Sequence, residues 1–282
     1  MSNIKKIAVC GAGTMGAGIA QVFAQHNFEV LIFDLTENQT QKAIETIEKN
    51  LSVAIEKGKL KAEEKVAALA KIKTTSVLAD VKADLVIEAI VEKLEVKQEL
   101  FASLAANNSP ETIFATNTSS ISVTRIAKGI QNPGRVLGMH FFNPAHLMKL
   151  VEIIAGVETN PETVKTVQEL TQAIGKTPAL CKDSPGFIVN RVARHYYVES
   201  LKILEENAGS VENIDALLES AGFKMGPFKL MDTIGNDINF AVTSSLFESF
   251  HQDAKFRPSR IQQQKVDAGH LGKKTGKGFY SY

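Results

Sequence analysis

The sequence has few of the features that mark secreted, membrane or metal-dependent proteins. Its 282 residues include two cysteines and no tryptophan, and two thiols cannot build a disulfide framework. Cys10 and Cys181 each end an apolar run, so we expect two reduced, buried cysteines in a cytoplasmic protein. No apolar run approaches the roughly 20 residues that a membrane helix needs. We therefore expect no membrane partner, and we expect no metal site.

Charge of one sign is also scarce. The net charge is +1, with 22% charged residues, so the chain has no bulk attraction to nucleic acid. With 44% hydrophobic residues, the composition is that of an ordinary globular protein with a large core. A length of 282 residues exceeds what one domain usually needs, which favours two domains.

The N-terminal stretch "KKIAVCGAGTMGAGIAQVFAQ" has the outline of a secretory signal, with a basic start and an apolar middle. Four glycines interrupt that apolar stretch. The glycine loop described below accounts for the same residues, so we interpret this stretch as folded structure.

The first half of the chain alternates between short apolar strands and amphipathic helices. Such alternation is typical of a mostly parallel sheet covered on both faces, and it predicts an α/β domain over residues 1–184. We predict strands at 4–10, 29–34, 83–90, 112–118, 134–142 and 149–156, and helices at 14–27, 37–73, 93–108 and 121–130. The long charged segment 37–73 contains eight lysines and five glutamates between residues 41 and 73.

The strands stop after about residue 185, and the remainder, 185–282, is predicted to be an all-helical domain. One long helix is expected over 183–207, with Ser184 as N-cap and Pro185 in its first position. Further helices are expected over 210–222 and 225–250. The Gly- and Lys-rich tail is expected to be a loop.

The first strand leads into Gly11-Ala12-Gly13-Thr14-Met15-Gly16, which has the pattern G-x-G-x-x-G. In a dinucleotide-binding unit the first glycine permits a tight turn and the second admits a pyrophosphate to the helix N-terminus. The third lets the helix pack closely on the sheet. Asp34, at the end of the second strand, would bind the ribose hydroxyls and repel a 2′-phosphate, which favours NAD over NADP. The alternative is a glycine-rich turn in a flavodoxin-like fold.

Two polar residues interrupt apolar strands in "GMHFFNPAHLMKLVEII", namely His140 and Glu152. Oxidation of an alcohol requires a general base, and imidazole suits this role because its unperturbed pKa lies near 6.5. A carboxylate on the other ring nitrogen would orient the imidazole. If the two strands lie side by side, the residues can form such a pair. Alternatively, His140 is a hydrogen-bonded core histidine and Glu152 faces water from an edge strand.

The motif "MHFFNPAHLMKLVEII" resembles the signature of the 3-hydroxyacyl-CoA dehydrogenase family. The resemblance extends to the glycine loop, "VIEAIVEKLEVKQELF", "FATNTSS", "KDSPGFIVNR", "GPF" and "GKKTGKGFY", and so covers nearly the whole chain. It is strongest to the short bacterial enzymes that act on 3-hydroxybutyryl-CoA. The resemblance implies an N-terminal Rossmann-type, doubly wound sheet with a helical-hairpin excursion, and an all-α C-terminal domain.

The resemblance also implies catalytic roles. His140 would act as general base in oxidation, and Glu152 would orient it. Ser119 would hydrogen-bond the 3-oxygen of the substrate, and Asn190 would hold the same part of the substrate from the helical domain. By the residues alone, Ser119 is equally a helix N-cap, a role that Ser120 or Ser122 could fill, and Asn190 is an exposed helix residue.

The implied cofactor is NAD. Besides the glycine loop with Thr14 and Met15, and Asp34, the resemblance implies NAD contacts that lie farther along the chain. These are Glu92, Lys97, Asn117, Ser119, Asn143 and Lys274. The alternative for Glu92 and Lys97 is a charged, solvated helix face. Asn143 precedes Pro144, where a turn is expected in any case. Lys274 would have to fold back over the site from the far C-terminus.

Coenzyme A carries phosphates, and the lysine-rich hairpin offers charge to meet them. The resemblance implies a coenzyme A contact at Lys57. It places a second contact, usually a serine, on Asn50, with Ser52 two residues later. The alternative is a solvated amphipathic hairpin. His146 is expected near the substrate or at the surface without a catalytic duty.

The predicted function is the NAD-dependent, reversible oxidation of an (S)-3-hydroxyacyl-CoA, with 3-hydroxybutyryl-CoA as the expected substrate, by a homodimer. Two alternatives remain at this point. One is a dehydrogenase of a free hydroxy acid, like the gulonate dehydrogenases related to λ-crystallin. The other is a protein that binds NAD without turnover.

Overall fold

The computed structural model describes residues 4–282, which divide into two compact units between Ser184 and Pro185. The first unit is an α/β domain and the second is helical. This is the predicted fold class, with an N-terminal dinucleotide-binding sheet followed by a helical domain.

One eight-stranded sheet forms the centre of the first unit. Its strands are β1 (Lys6–Cys10), β2 (Glu29–Phe33), β3 (Ile72–Thr75), β4 (Leu85–Glu88), β5 (Ile113–Thr116), β6 (Val136–Phe141), β7 (Leu150–Ala155) and β8 (Thr177–Lys182). Their order is β3-β2-β1-β4-β5-β6-β7-β8, and β1 to β6 run parallel. Strand β7 is antiparallel to β6, and β8 is parallel to β7. The first six strands thus have the 3-2-1-4-5-6 order of a doubly wound dinucleotide-binding sheet.

The central strands are hydrophobic throughout because helices cover both faces of the sheet. The helices of this unit are α1 (Thr14–Gln25), α2 (Glu37–Glu56), α3 (Ala62–Ala70), α4 (Leu94–Asn107), α5 (Val123–Ile126) and α6 (Pro161–Ala173). Thr36 caps α2 by accepting a hydrogen bond from the amide of Gln39. Because β1 to β6 run parallel, the carboxyl ends of β1, β2, β4, β5 and β6 lie along one edge of the sheet. The loops at this edge carry the candidate site.

The segment 37–73 departs from the single helical run that its periodicity predicts. It forms two helices, α2 and α3, and its last residues begin strand β3. Ile72 is half-buried, and two of the four strand residues are exposed, so β3 lacks the apolar run that identified the other strands. It pairs with β2 at the edge of the sheet, where backbone pairing needs little hydrophobic signal.

The second unit contains five α-helices among its described residues. They are α7 (Val189–Glu205), α8 (Val211–Ser220), α9 (Pro227–Ile234), α10 (Asn236–Ser249) and α11 (Arg260–Asp267). Ser210 caps α8 by accepting from the amide of Asn213. Helix α11 has no counterpart in the sequence prediction, which assigned nothing between 251 and the tail.

The prediction that α7 begins at Pro185 with Ser184 as N-cap is wrong. Helix α7 begins at Val189, four residues later. Gly186 and Phe187 have φ of +73° and +50°, which belong to the left-handed region and cannot continue a right-handed helix. The dipeptide Pro185-Gly186 is a turn signal that outweighs the preference of proline for a first helical position.

The two cysteines differ in exposure. Cys10 is fully buried, as predicted, and burial raises the pKa of its thiol far above the ordinary range. Cys181 is only half-buried, because β8 is an edge strand, so that part of the prediction is wrong. Burial, followed by the charges of Glu152 and Asp183, raises the pKa of Cys181 to about 11. Both thiols are therefore protonated near neutral pH.

Between residues 4 and 282, no helix combines the length and apolar character needed to cross a bilayer. Over the same residues, no three His, Cys, Asp or Glu side chains are grouped so that they could hold a metal ion.

Candidate active site

The glycine loop joins β1 to α1 at the carboxyl edge of the sheet. Gly11 has φ +104°, and a Cβ there would lie 2.5 Å from the carbonyl oxygen of Ala89. A Cβ on Gly16 would lie 1.7 Å from the carbonyl oxygen of Gly11, so only glycine allows α1 to start this close to the sheet. The glycine loop therefore has the close-packed geometry that its sequence pattern predicts.

Gly13 differs from these two glycines, because a Cβ there would meet no atom within 4 Å. Gly13 is exposed and forms the N-cap of α1 without a side-chain cap, so the first amides of the helix have no side-chain acceptor there. A pyrophosphate fits this open position, where it would accept from these amides and meet the positive end of the helix dipole. The loop with Thr14 and Met15 thus suits NAD.

Asp34 follows β2 and lies next to this loop. Its Oδ2 accepts a hydrogen bond from the amide of Ala12 at 2.8 Å, and Oδ1 accepts from the amide of Leu35 at 2.8 Å. Asp34 therefore holds the glycine loop to the end of β2. Its carboxylate is half-buried, and its ribose contact stays a prediction.

His140 and Glu152 lie directly opposite each other on β6 and β7. The predicted adjacency of the two strands is thereby confirmed, while the roles of the two residues stay predictions. Nδ1 of His140 lies 2.9 Å from Oε2 of Glu152. His140 is 4% exposed and Glu152 is fully buried, so the carboxylate does not face water from an edge strand. Strand β8 covers β7 on the outer side and gives it this burial.

Ser119 occupies the other side of the imidazole, with its Oγ 3.1 Å from Nε2 of His140. An ionised carboxylate can only accept a hydrogen bond, so the Glu152 contact assigns the proton of a neutral imidazole to Nδ1. Nε2 is then an acceptor that faces the hydroxyl of Ser119. Ser122, and not Ser119, caps α5 by accepting from the amide of Arg125, so this alternative for Ser119 is excluded.

The loop that carries Ser119 is gathered around the carboxylate of Glu92. Oε1 of Glu92 accepts hydrogen bonds from the amides of Ser119 and Ser120, at 3.1 and 3.3 Å, and from the hydroxyls of Thr118 and Ser120. Burial alone would raise the pKa of Glu92, but the charge of Lys97 and these hydrogen bonds outweigh it and hold the pKa below its ordinary value. Nearby, Oδ1 of Asn117 accepts from the amide of Phe141 at 2.8 Å.

Lys97 is not part of a solvated helix face, which was the alternative for this residue. It is 1% exposed, and its Nζ lies 2.6 Å from Glu88 Oε1 and 3.0 Å from Glu92 Oε2. Glu88, at the end of β4, was not singled out from the sequence. Its position as the last residue of an apolar strand, facing a conspicuous downstream lysine, is the signal that could have revealed it.

Asp183 holds the far end of the same loop. Its carboxylate accepts from the hydroxyl of Ser122 at 2.6 Å and from the amides of Val123 and Thr124 at 3.1 and 2.8 Å. The backbone amide of Asp183 in turn donates to the carbonyl of Ala155 at the end of β7. The Ser119 loop is therefore fixed at both ends by carboxylates.

Three predicted contacts lie on loops or on the hairpin, away from these bonds. Asn143 is exposed and forms a cis peptide bond with Pro144. Lys57 is exposed at the C-terminus of α2, while Asn50 is half-buried and donates to Gln21 Oε1 at 3.1 Å. Asn50 thus already bonds to α1, and coenzyme A would have to share this side chain. The ligand contacts of Asn143, Lys57 and Asn50 stay predictions.

His146 follows the same Asn143-Pro144 turn and is half-buried. Burial first, and then the charge of Lys176, lower the pKa of His146, so the ring is neutral near pH 7. The ammonium of Lys176 is fixed to the carbonyls of Ala145 and Met148, each at 2.7 Å. The expectation that His146 has no catalytic duty stays a prediction.

Two further predicted residues belong to the helical unit. Asn190 lies in the first turn of α7 and is half-buried. Lys274 pairs with Asp237 within the same unit at 2.6 Å, and this pair contributes to the lowered pKa of Asp237, against the effect of burial. The roles of Asn190 and Lys274 stay predictions.

A glycine loop on a doubly wound sheet, with a buried His–Glu pair and a serine in the same unit, is typical of a dinucleotide-dependent dehydrogenase. Residues 6–184 match the family described as 3-hydroxyacyl-CoA dehydrogenase, NAD binding domain, and residues 186–282 match its C-terminal domain. The chain belongs to the 3-hydroxyacyl-CoA dehydrogenase family, and its first unit is an NAD-binding domain.

Named relatives support this membership. The chain is 51% identical over its full length to 3-hydroxyadipyl-CoA dehydrogenase of Escherichia coli K12, and it spans 60% of the length of that protein. It is 41% identical over 98% of its length to a probable 3-hydroxybutyryl-CoA dehydrogenase of Deinococcus radiodurans, and the match covers 100% of that protein. Both relatives are named as dehydrogenases of hydroxyacyl-CoA thioesters.

Solved structures agree with this result. The crystal structure of (S)-3-hydroxybutyryl-CoA dehydrogenase from Ralstonia eutropha matches with a TM-score of 0.96 at 39% identity. That match covers 99% of each chain. The similarity therefore extends over both units and is not confined to the NAD-binding domain.

Proposed function

We propose that this protein catalyses the NAD-dependent, reversible oxidation of an (S)-3-hydroxyacyl-CoA to the 3-oxoacyl-CoA. The observation that carries the proposal is the buried imidazole of His140, which lies between Glu152 and Ser119 at 2.9 and 3.1 Å. This arrangement provides a proton acceptor at Nε2, a carboxylate behind it and a hydroxyl beside it. A protein that only bound NAD would need none of the three.

In the direction of oxidation, Nε2 of His140 removes the proton from the 3-hydroxyl group. Glu152 holds the ring by Nδ1 and stabilises the imidazolium that results, because its buried carboxylate lies against the developing charge. The hydroxyl of Ser119 donates to the oxygen that becomes the ketone. Bound NAD supplies the acceptor for the hydride that leaves carbon 3. In reduction the same imidazolium returns its proton to the oxygen.

We propose the acyl-CoA thioester, rather than a free hydroxy acid, as the substrate class. Lys57 stands exposed at the end of α2, where an ammonium can meet a phosphate of coenzyme A. Free coenzyme A should therefore compete with the substrate, and a dehydrogenase of a free sugar acid would ignore it. The competition assay distinguishes the two readings directly.

Two acyl groups are candidates. The notable similarity to 3-hydroxybutyryl-CoA dehydrogenases favours a four-carbon acyl group, and the 51% identity to the E. coli enzyme favours 3-hydroxyadipyl-CoA as a second candidate. We expect turnover of 3-hydroxybutyryl-CoA with NAD, and a comparison of kcat/KM for the two thioesters decides the preference. No NADH formation from either thioester would contradict the proposed function.

We further propose that the helical unit binds substrate and forms a homodimer. Three large apolar side chains on its described helices are more than half exposed, namely Val192, Leu217 and Ile238, at 67%, 71% and 51%. Single exposed apolar residues are common, and a homodimer interface would cover those that lie within it. Sedimentation at equilibrium should give twice the 30.7 kDa chain mass, and a monomer at micromolar concentration would contradict the dimer.

A further inference from the structure

Glu88 is a fully buried carboxylate with no place in the proposed reaction. It ends β4, and its backbone pairs with Cys10 and Thr116 on the neighbouring strands. Its two oxygens accept hydrogen bonds from Ile90 N, Thr116 Oγ1 and Lys97 Nζ at 2.8, 2.7 and 2.6 Å. A buried carboxylate carries a desolvation penalty that its charged and hydrogen-bonded partners must offset.

The partner is Lys97, which reaches Glu88 from the first turns of α4. A buried ammonium requires compensation, and Lys97 receives it from two carboxylates, Glu88 at 2.6 Å and Glu92 at 3.0 Å. Because Lys97 is 1% exposed and Glu88 is fully buried, water has little access to the contact between these two residues. Glu88 therefore holds the ammonium from its buried side, and Glu92 pairs with the same ammonium.

Glu92 is the half-exposed end of this ion triad, with 39% of its side chain accessible. One of its oxygens meets Lys97, and the other accepts from the Ser119 and Ser120 amides. Since Ser119 Oγ reaches Nε2 of His140, polar contacts run without a break from the core of the sheet to the imidazole.

We propose that Glu88 is a positioning residue: it anchors Lys97 against Glu92, and Glu92 thereby holds the Ser119 loop in register with His140. The effect on catalysis rests on the proposed function, whereas the effect on the loop does not. An ion pair whose only duty was stability would not need a second carboxylate that binds the loop. Hydrophobic residues of similar volume often stabilise a core equally well.

Amide hydrogen exchange in the protein without cofactor tests the positioning directly. In Glu88→Gln, the amides of Ser119 and Ser120 should exchange at least about tenfold faster than in the wild type, since loss of the anchor lowers the free energy of local opening. The amides of Val123 and Thr124, which Asp183 holds, should be unchanged. Asp183→Asn should give the opposite pattern.

Val86→Ala is the matched control, because Val86 is buried on the same strand and lies two residues from Glu88 on the same face. It should destabilise the sheet without accelerating exchange at Ser119 and Ser120. Unchanged exchange at these two amides in folded Glu88→Gln would overturn the proposal. So would the same acceleration in Val86→Ala, because that would show a general loss of stability.

Glu88→Gln leaves Lys97 buried with one carboxylate fewer, which lowers the stability of the fold. The double variant Glu88→Gln/Lys97→Met removes the buried ammonium and keeps the test available if the single variant does not fold. It lacks the ammonium that Glu88 anchors, so exchange at Ser119 and Ser120 should again be at least about tenfold faster than in the wild type. Wild-type protection in the double variant would show that the loop needs neither residue.

The pH dependence of loop protection gives a readout that a structural role would not move. Because the pKa of Glu92 is lowered, its carboxylate is ionised and bonded to the loop at and above the ordinary carboxyl pKa. These bonds are lost only as the pH falls through the lowered pKa. In Lys97→Met, burial remains and the opposing charge is gone, so the loss should occur at higher pH. An identical pH profile in the variant and the wild type would contradict the relay through Lys97.

The last test measures the kcat and KM of the same variants. Glu88→Gln should lower kcat by about tenfold while KM changes less, because a misplaced Ser119 weakens the transition state more than substrate binding. Val86→Ala should keep the wild-type kcat. If the wild type oxidises no hydroxyacyl-CoA, the proposed function fails, and the exchange data still decide whether Glu88 positions the loop.

Discussion

His140→Gln is expected to lower kcat by about 10²–10⁴-fold, the usual contribution of a positioned acid–base group. Glutamine fills much of the same space and can hydrogen-bond to Ser119, but it cannot accept the hydroxyl proton at neutral pH. The glycine loop lies on other strands and is unaffected, so NADH should bind with near wild-type affinity. Steady-state kinetics with 3-hydroxybutyryl-CoA, alongside NADH fluorescence titration, measure both quantities.

Glu152→Gln provides the comparison for this result. Its amide oxygen can still accept from Nδ1 of His140, but the negative charge that stabilises the imidazolium is lost. The fall in kcat should therefore be smaller than that of His140→Gln. A kcat near wild type in His140→Gln would remove His140 from the mechanism. A larger fall in kcat for Glu152→Gln than for His140→Gln would mean that the carboxylate has a role besides holding the imidazole of His140.

The second large effect is expected from alanine at two glycines only three residues apart. Gly16→Ala places a Cβ 1.7 Å from the carbonyl oxygen of Gly11, so α1 must move off the sheet and the loop must be rebuilt. We expect a loss of stability of several kcal/mol, about the range of strong overpacking, and no measurable NADH binding. Thermal unfolding and NADH titration test this outcome.

Gly13→Ala is the matched variant, since its Cβ meets no atom within 4 Å and its φ of −71° suits alanine. The protein should keep its unfolding temperature, whereas NADH affinity should fall at least about tenfold because the Cβ occupies the approach of the pyrophosphate. Normal NADH binding by Gly13→Ala would show that the pyrophosphate does not approach this position.

Much of the fold could be predicted because the local signals agree with one another. Apolar runs, helix periodicity and the glycine loop all indicate the same doubly wound sheet, and they locate β1, β2 and β4 to β7. The pairing of His140 with Glu152 also follows, because a turn at Asn143-Pro144 makes neighbouring strands the simplest arrangement.

The residues that escaped prediction depend on distant partners. Strand β3 has little hydrophobic signal of its own and exists because β2 offers a free edge. Glu88 has the appearance of an ordinary strand-end residue, and its importance arises only when Lys97 folds over from α4. In the same way, Asp183 acquires its partners from a loop 59 to 61 positions earlier in the chain. Such contacts are set by topology, which a single sequence reports only indirectly.

The register of β6 against β7 has an evolutionary consequence. His140 and Glu152 face each other because of the register of backbone pairing along the two strands, which depends on the length of the connecting loop and not on every side chain in it. Substitutions at the exposed tip, such as Leu147 and Met148, at 64% and 42% exposure, therefore leave the pair in place. Sequence change at these two exposed positions is therefore compatible with unchanged acid–base chemistry.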